Sequence, residues 1–171
     1  MALRLAAPID VICFDWGGTL MSEVGPQDRP MGQWPDVSAM TGAADCLASL
    51  AGDGRPLCIA TNATVSRRPM IELALERVGF LRYFTEIFCY TELGFTKAQP
   101  AFWRTVAERL QTPLARIAMV GDSLEQDCVA PRSFGVQAVW FNEGGRQPLP
   151  AADVPWVRSL EDFACLVKNA A

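Results

Sequence analysis

The chain has 171 residues, half of them apolar and a fifth charged, with a net charge of −4 at pH 7. We expect one globular domain over residues 1–171, with a full hydrophobic core. No basic stripe could displace the counterions of a nucleic acid, and no apolar stretch is long enough to span a membrane, so neither partner is expected. Nothing before the first apolar run resembles a signal peptide, which predicts a cytoplasmic protein.

The available side chains limit the chemistry. Histidine is absent, which excludes a histidine base and histidine metal ligands. The six cysteines are scattered without a C-x-x-C pair, so free thiols are expected rather than zinc ligands or disulfides. Any reaction must therefore use carboxylates, lysine, hydroxyl groups, the backbone or a hard metal ion.

Short apolar runs bounded by turn residues predict five buried strands of a parallel sheet. They cover residues 11–14, 56–60, 87–90, 117–120 and 136–141. Helical patterns lie between the runs, which predicts a mostly parallel, doubly wound α/β fold with helices on both faces. Because such crossovers are right-handed, the carboxyl ends of the strands share one edge.

Two kinds of local signal complete the prediction of structure. Residues 21–38 are rich in proline and glycine and show no period, which predicts a loop over the end of the first strand; we call residues 21–38 the flap. Ser66 is expected to cap the helix after the second strand, and Ser159 the last helix.

Polar side chains gather at the predicted sheet edge. Asp15 and Thr61 follow the first two strands, Lys97 lies in the loop after the third, and Asp122 and Asp127 follow the fourth. Three converging carboxylates would repel one another without a cation, and oxygen ligands favour Mg²⁺. Lys97 and Thr61 are suited to hold the oxygens of a phosphoryl group. One carboxylate beside the metal could then act as a nucleophile.

Four segments in chain order resemble the motifs of the haloacid dehalogenase superfamily, over nearly the whole chain. DWGGTL at 15–20 is similar to D-x-D-G-T-[LV], and GDSLEQD at 121–127 is similar to G-D-S-x-x-x-D. Thr61 stands at the strand end of the second motif, and Lys97 stands before a helix as in the third. The resemblance implies a three-layer Rossmann-like core.

The resemblance also implies the roles of individual residues. Asp15 would be the nucleophile, and Thr61 and Lys97 would be catalytic partners that bind the phosphoryl group. The metal ligands would be Asp15, the backbone carbonyl of Gly17, and Asp122, with Asp127 supporting either the metal site or Lys97. Gly18 and Asn62 are the other two positions expected to contact the phosphate.

One position departs from the family pattern. The superfamily's phosphatases carry a second Asp two residues after the nucleophile, as general acid and then base, and this chain has Gly17 there. Losing such a group costs about 10²–10⁴ in rate. We therefore expect a preference for good leaving groups such as acyl or aryl phosphates, and an increase in turnover of ordinary phosphomonoesters for Gly17→Asp.

The spans between the motifs leave no room for a full cap domain, so the flap is expected in its place. In this superfamily that implies a large or macromolecular substrate, or a site closed by a second copy of the chain. The resulting prediction is a Mg²⁺-dependent phosphatase acting on a phosphorylated small molecule or macromolecule. Two alternatives remain open: an idle member that binds a phosphorylated ligand or protein, and cleavage of a C–P or C–halogen bond.

Overall fold

A computed structural model describes residues 3–6, 8–150 and 153–170 of the chain. Its six strands form one parallel sheet in the order β3-β2-β1-β4-β5-β6. The strands are β1 (Val11–Phe14), β2 (Leu57–Thr61), β3 (Phe84–Cys89), β4 (Ile117–Gly121), β5 (Gln137–Phe141) and β6 (Trp156–Val157). The helices are α1 (Ala43–Ala51), α2 (Arg68–Arg77), α3 (Tyr90–Leu93), α4 (Pro100–Leu110), α5 (Ala130–Ser133) and α6 (Leu160–Lys168), with a π-helical turn at Leu124–Val129.

Both faces of the sheet are covered, which is why the strands are apolar throughout. All four residues of β1 are buried; Ile12 and Phe14 belong to one core cluster, and Val11 and Cys13 to another. Successive side chains of a strand point to opposite faces, so the two clusters lie on the two sides of the sheet. Helices α1, α2 and α6 pack in the first cluster and α4 in the second. The three-layer architecture is therefore confirmed.

The five predicted strands are all present, and the structure adds a sixth. Strand β6 has two residues and pairs in parallel with β5, with Trp140 opposite Trp156. A two-residue strand is too short to produce a recognisable apolar pattern, because it offers a single residue to each face of the sheet. The sheet therefore has six strands rather than the five expected.

The two predicted helix caps have different outcomes. Ser159 Oγ accepts a hydrogen bond from Asp162 N at 3.0 Å and caps α6 as expected. Ser66 does not cap α2, whose N-cap residue is Arg67. The Ser66 hydroxyl instead accepts a hydrogen bond from the backbone N–H of Met31, at 3.2 Å, and so ties the flap to the main body.

Backbone and side-chain contacts hold the flap in one position against the rest of the chain. Met21 is buried, and its backbone forms an antiparallel bridge with Ala39. From α2, the Arg77 guanidinium donates hydrogen bonds to the carbonyl oxygens of Gly32 at 3.2 Å, Trp34 at 2.6 Å and Pro35 at 2.9 Å. These contacts fix the flap above the carboxyl ends of the strands.

Two further expectations concern the whole chain. The six cysteines are free, and five of them are buried: Cys13, Cys46, Cys58, Cys89 and Cys128. Over residues 3–6, 8–150 and 153–170, the longest helices fall well short of an apolar membrane span.

Candidate active site

The carboxyl edge of the sheet opens into a pocket of about 470 Å³. Every site residue predicted from the sequence lines this pocket except Gly18. The residues that do so are Asp15, Gly17, Thr61, Asn62, Lys97, Asp122 and Asp127. The convergence follows from the parallel topology, because β1, β2 and β4 lie side by side and end at the same edge.

Lys97 joins two of the carboxylates at the floor of the pocket. Its Nζ atom lies 2.7 Å from Asp15 Oδ1 and 2.6 Å from Asp127 Oδ1. Lys97 is 2 % exposed and Asp127 is 1 % exposed. A buried charge is tolerated only when it is paired, and here one ammonium group pairs with both carboxylates.

Burial and ion pairing have opposite effects on the pKa values of Lys97 and Asp127. Burial alone would lower the pKa of Lys97, but the charges of Asp15 and Asp127 outweigh it and raise that pKa above its ordinary value. Burial raises the pKa of Asp127 to about 6, with a further contribution from Asp15, although Lys97 opposes the shift. Lys97 is therefore positively charged at neutral pH.

The backbone of Lys97 is held on two sides. Its N–H donates to Asn62 Oδ1 at 2.8 Å, and its carbonyl oxygen accepts from Trp103 Nε1 at 2.8 Å. The amide nitrogen of Asn62 also donates to Gln126 Oε1 at 2.9 Å. Asn62 thus joins the end of β2 to the Lys97 loop and to the turn after β4, and it lines the pocket as well.

Asp122 lies beside Asp15, and both residues contact the hydroxyl group of Thr19. The Thr19 hydroxyl group is 3.1 Å from Asp15 Oδ2 and 3.4 Å from Asp122 Oδ1, and it accepts from the Asp122 N–H at 3.1 Å. Gly18 has φ +80°, and a Cβ atom there would lie 2.5 Å from Asp122 Oδ2, so only glycine fits. Burial, followed by the charge of Asp15, raises the pKa of Asp122 to about 8.

The three carboxylates suit a hard divalent cation. Asp15, Asp122 and Asp127 each offer an oxygen, and these oxygens all lie within 4.8 Å of one another. When all three are ionised, Lys97 leaves two negative charges uncompensated. An oxygen-only donor set of this kind, without His or Cys, is typical of Mg²⁺ sites.

Thr61 ends β2 at the pocket. It is buried, and its Oγ1 accepts a hydrogen bond from the Ala63 N–H at 3.1 Å. Accepting this bond orients the hydroxyl group and leaves its hydrogen free to be donated to a ligand oxygen. The loop that follows, residues 62–66, lines one side of the pocket.

The space beside Gly17 is occupied by a carboxylate from the flap. A Cβ atom at position 17 would lie 2.5 Å from Oε1 and 3.2 Å from Cδ of Glu23. Glu23 is exposed as a residue, but it lines the pocket. Partial burial, followed by the charge of Asp15, raises the pKa of Glu23 above its ordinary value. A Gly17→Asp side chain would therefore have to displace Glu23.

Sequence reasoning missed most of the flap's contribution to the pocket. The flap residues that line it are Glu23, Gln27, Arg29, Met31 and Trp34. Trp34 is buried, and its Nε1 donates to the Arg29 carbonyl oxygen at 3.0 Å, so it packs on its own domain at the pocket wall. A proline-rich segment without periodicity carries no signal that identifies which of its side chains turn inward.

Comparisons with known proteins identify the family of the chain. The sequence model of the haloacid dehalogenase-like hydrolases matches residues 36–135, a stretch that contains Thr61, Lys97, Asp122 and Asp127 and lies after Asp15. The chain is 27 % identical over 135 residues to the pyrimidine 5′-nucleotidase PynA of Streptococcus pneumoniae, covering 76 % of this chain and 55 % of that protein. It is 30 % identical over 108 residues to the ribulose-1,5-bisphosphate 5-phosphatase of Halopiger xanaduensis, covering 63 % of this chain and 44 % of that protein. The chain thus spans about half the length of these curated relatives.

Solved structures show the same fold. An uncharacterized protein from Listeria monocytogenes serotype 4b superposes with a TM-score of 0.78 at 24 % sequence identity, covering 94 % of this chain and 99 % of that one. The family match covers more than half of the chain, and it includes three of the four predicted motifs. The chain therefore belongs to the haloacid dehalogenase-like hydrolases.

Proposed function

We propose that this hydrolase is a Mg²⁺-dependent phosphatase that acts on a small phosphorylated molecule through a phosphoryl intermediate on Asp15. The observation that carries the proposal is the placement of the Asp15 carboxylate in the pocket. One of its oxygens is 2.7 Å from the Lys97 ammonium group, and the other is 3.1 Å from the Thr19 hydroxyl group. These contacts orient a carboxylate that is in reach of a ligand in the pocket.

The residues around Asp15 have complementary tasks in this proposal. Thr61 and Lys97 hold phosphoryl oxygens while the Asp15 carboxylate attacks phosphorus and the leaving group departs. Water then releases inorganic phosphate from Asp15. Asp15, Asp122 and the carbonyl of Gly17 would hold Mg²⁺, with Asp127 in support, and the ion would neutralise charge on the transferring group.

The size of the pocket supports a small substrate. A volume of about 470 Å³ falls in the range of small-molecule sites, and the flap closes one side of it. The matched relatives are named as phosphatases of a nucleotide and of a sugar bisphosphate. Arg29 lines the pocket as an ion pair with Asp28, and it would hold a second anionic group of the substrate by exchanging that carboxylate for it.

Position 17 favours a second candidate, a binding protein without turnover. Gly17 has no side chain, so it supplies no acid or base. Such a protein would bind Mg²⁺ and a phosphorylated ligand and release no phosphate. The two candidates differ in turnover, which an assay of phosphate release measures directly.

The experiment is phosphate release from a panel of acyl, aryl, nucleotide and sugar phosphates, with and without Mg²⁺. We expect Mg²⁺-dependent release that Asp15→Asn reduces by about a thousandfold or more, since the nucleophile is removed. Asp36→Asn is the matched control, because Asp36 is exposed and does not line the pocket. Equal activity of Asp15→Asn and the wild type would contradict the proposal.

A further inference from the structure

The pocket contains a carboxylate to which the proposed reaction has not yet assigned a task. Among the pocket-lining residues that the structure describes, the acids are Asp15, Glu23, Asp122 and Asp127. Asp127 is paired with Lys97, and Asp122 lies beside Asp15 in the carboxylate cluster. Hydrolysis of a phosphate ester needs a proton for the leaving oxygen, and Glu23 is the remaining acid that could supply it.

The Glu23 carboxylate is uncommitted but well placed. No donor among the described residues forms a hydrogen bond with it, whereas its backbone carbonyl accepts from Gln27 Nε2 at 3.0 Å. Its oxygen lies 2.5 Å from the position that a Cβ atom of residue 17 would take, two residues after Asp15. A carboxylate from the flap thus fills the space that an acidic side chain at position 17 would enter.

The backbone before Glu23 is anchored, so this placement does not depend on a loose loop. Gly18 N–H donates to the carbonyl of Met21 at 2.8 Å, and Met21 N–H donates to the carbonyl of Trp16 at 3.0 Å. Ser22 N–H donates to the Ser38 carbonyl at 2.9 Å. Glu23 therefore follows a segment that is tied directly to the motif bearing Asp15.

We propose that Glu23 is the general acid and base of this site, supplied by the flap in place of a side chain at position 17. The inference rests on the proposed phosphatase function. It also changes the expected substrate range, because a site with a proton donor can release alkoxide leaving groups and is not restricted to acyl and aryl phosphates.

Glu23 gives up one proton when the Asp15 adduct forms and regains one when the adduct is hydrolysed. An Asp15 oxygen bonds to phosphorus, the bond from phosphorus to the leaving oxygen breaks, and protonated Glu23 gives its proton to that oxygen, which departs as an alcohol. A water oxygen then bonds to phosphorus, and the bond between Asp15 and phosphorus breaks with its electron pair returning to the carboxylate. Glu23 takes the proton that this water loses, and inorganic phosphate leaves.

Acetyl phosphate separates the two steps, because acetate departs as a stable anion without a proton. We expect Glu23→Gln to form the Asp15 adduct with acetyl phosphate and Mg²⁺ within about twofold of the wild-type rate. In this variant the Asp15 adduct should decay about a hundredfold or more slowly than in the wild type, which is the usual contribution of a general base. Quenched intact-mass measurements give both rates, and Glu76→Gln, an exposed glutamate of α2, is the matched control.

Two outcomes would overturn the assignment. Decay in Glu23→Gln at the wild-type rate would show that Glu23 transfers no proton. A parallel fall in adduct formation and decay would indicate a role in folding or metal binding. Absence of any adduct in the wild type is a different result, because it contradicts the proposed phosphatase function itself.

A rescue variant separates proton transfer from a structural role. Glu23→Ala clears the space beside position 17, so Gly17→Asp can place a new carboxyl group there in the double variant. We expect the double variant to hydrolyse the adduct at least about tenfold faster than Glu23→Ala alone. An adduct equally long-lived in both variants would contradict a site that requires a carboxyl group at this position.

Discussion

At the scale of single residues, Lys97 is the group on which the site depends most. It compensates the buried charges of Asp15 and Asp127, and its own backbone is tied to Asn62 and Trp103. The chain has one other lysine, Lys168, which is partly exposed and lies 3.9 Å from Asp53. The two lysines therefore form a natural comparison between a buried and a surface ion pair.

Lys97→Met should lower the free energy of unfolding by about 3–5 kcal/mol, because it leaves buried carboxylates unpaired. Lys168→Met should change it by less than about 1 kcal/mol, as is usual for surface pairs. Urea unfolding of the metal-free proteins measures the free energy of unfolding of each variant. The double variant Lys97→Met/Asp127→Asn should recover part of the free energy of unfolding that Lys97→Met loses. Equal stabilities of Lys97→Met and Lys168→Met would contradict a structural role for the buried ion pairs.

The residues of the motifs could be predicted from the sequence, whereas Glu23 could not. Asp15, Thr61 and Asp122 follow apolar runs directly, so strand direction alone brings them to one edge. Glu23 reaches the same pocket only because Met21 is buried and the flap folds back, and such tertiary contacts leave no local pattern. Ser66 failed as a predicted cap for a related reason, since a serine before a helix is equally compatible with a hydrogen bond to a distant segment.

At the scale of elements, the contact between the flap and α2 determines the shape of the pocket. Arg77 holds three flap carbonyl groups, and Ser66 holds the N–H of Met31. Thr61 is the last residue of β2, and the loop that begins at Asn62 leads into helix α2. The loop that lines one side of the pocket therefore leads directly into the helix that positions the flap.

Arg77→Ala should loosen the flap without unfolding the domain. Hydrogen bonds from a charged donor contribute about 1.5–3 kcal/mol each, so local opening becomes much more frequent when they are lost. We expect amide hydrogen exchange in residues 22–38 to become about tenfold faster or more, with the strands unaffected.

Arg104→Ala is the matched control for that measurement, because Arg104 is exposed on α4, which packs on the opposite face of the sheet. Unchanged exchange of the flap in Arg77→Ala would mean that other contacts hold it. In that case the buried side chains of Met21, Met31 and Trp34 would be sufficient.

The succession of elements was predictable because each strand is a compact apolar run between turn signals. The sixth strand was not, because β6 depends on pairing with β5 rather than on its own composition. The residue pattern at Leu124–Val129 does not distinguish the observed π-helical turn from an ordinary short helix. Asp127 lies in this turn and pairs with Lys97, a contact that residue patterns do not encode.

At the scale of the whole molecule, we expect the carboxylate cluster to link the stability of the protein to pH and, as the proposed metal site, to Mg²⁺. Asp122 has a pKa of about 8 in the folded protein, above the ordinary value of an aspartate. The unfolded chain therefore loses this proton first, and the stability of the metal-free protein should fall as pH rises from about 4 to about 8. Asp127, with a pKa of about 6, acts in the same direction.

Thermal unfolding should show this link. We expect the Tm of the metal-free protein to be lower at about pH 8 than at about pH 5, and Mg²⁺ to raise it most at the higher pH, where the carboxylates are ionised. Asp122→Asn should weaken both effects, while Asp36→Asn should leave them unchanged. A Tm of the wild type that is independent of both pH and Mg²⁺ would contradict a buried carboxylate cluster that binds the ion.

Asp15 is the residue that we propose to carry the phosphoryl group, and the most direct measurement is to locate that group on the protein. The protein is incubated with Mg²⁺ and acetyl phosphate, with beryllofluoride as a parallel probe, and the intact mass and the modified peptide are determined. We expect one phosphoryl adduct, on Asp15, that decays in water and is absent from Asp15→Asn. No adduct together with no Mg²⁺-dependent binding of beryllofluoride, or an adduct on another residue, would contradict it.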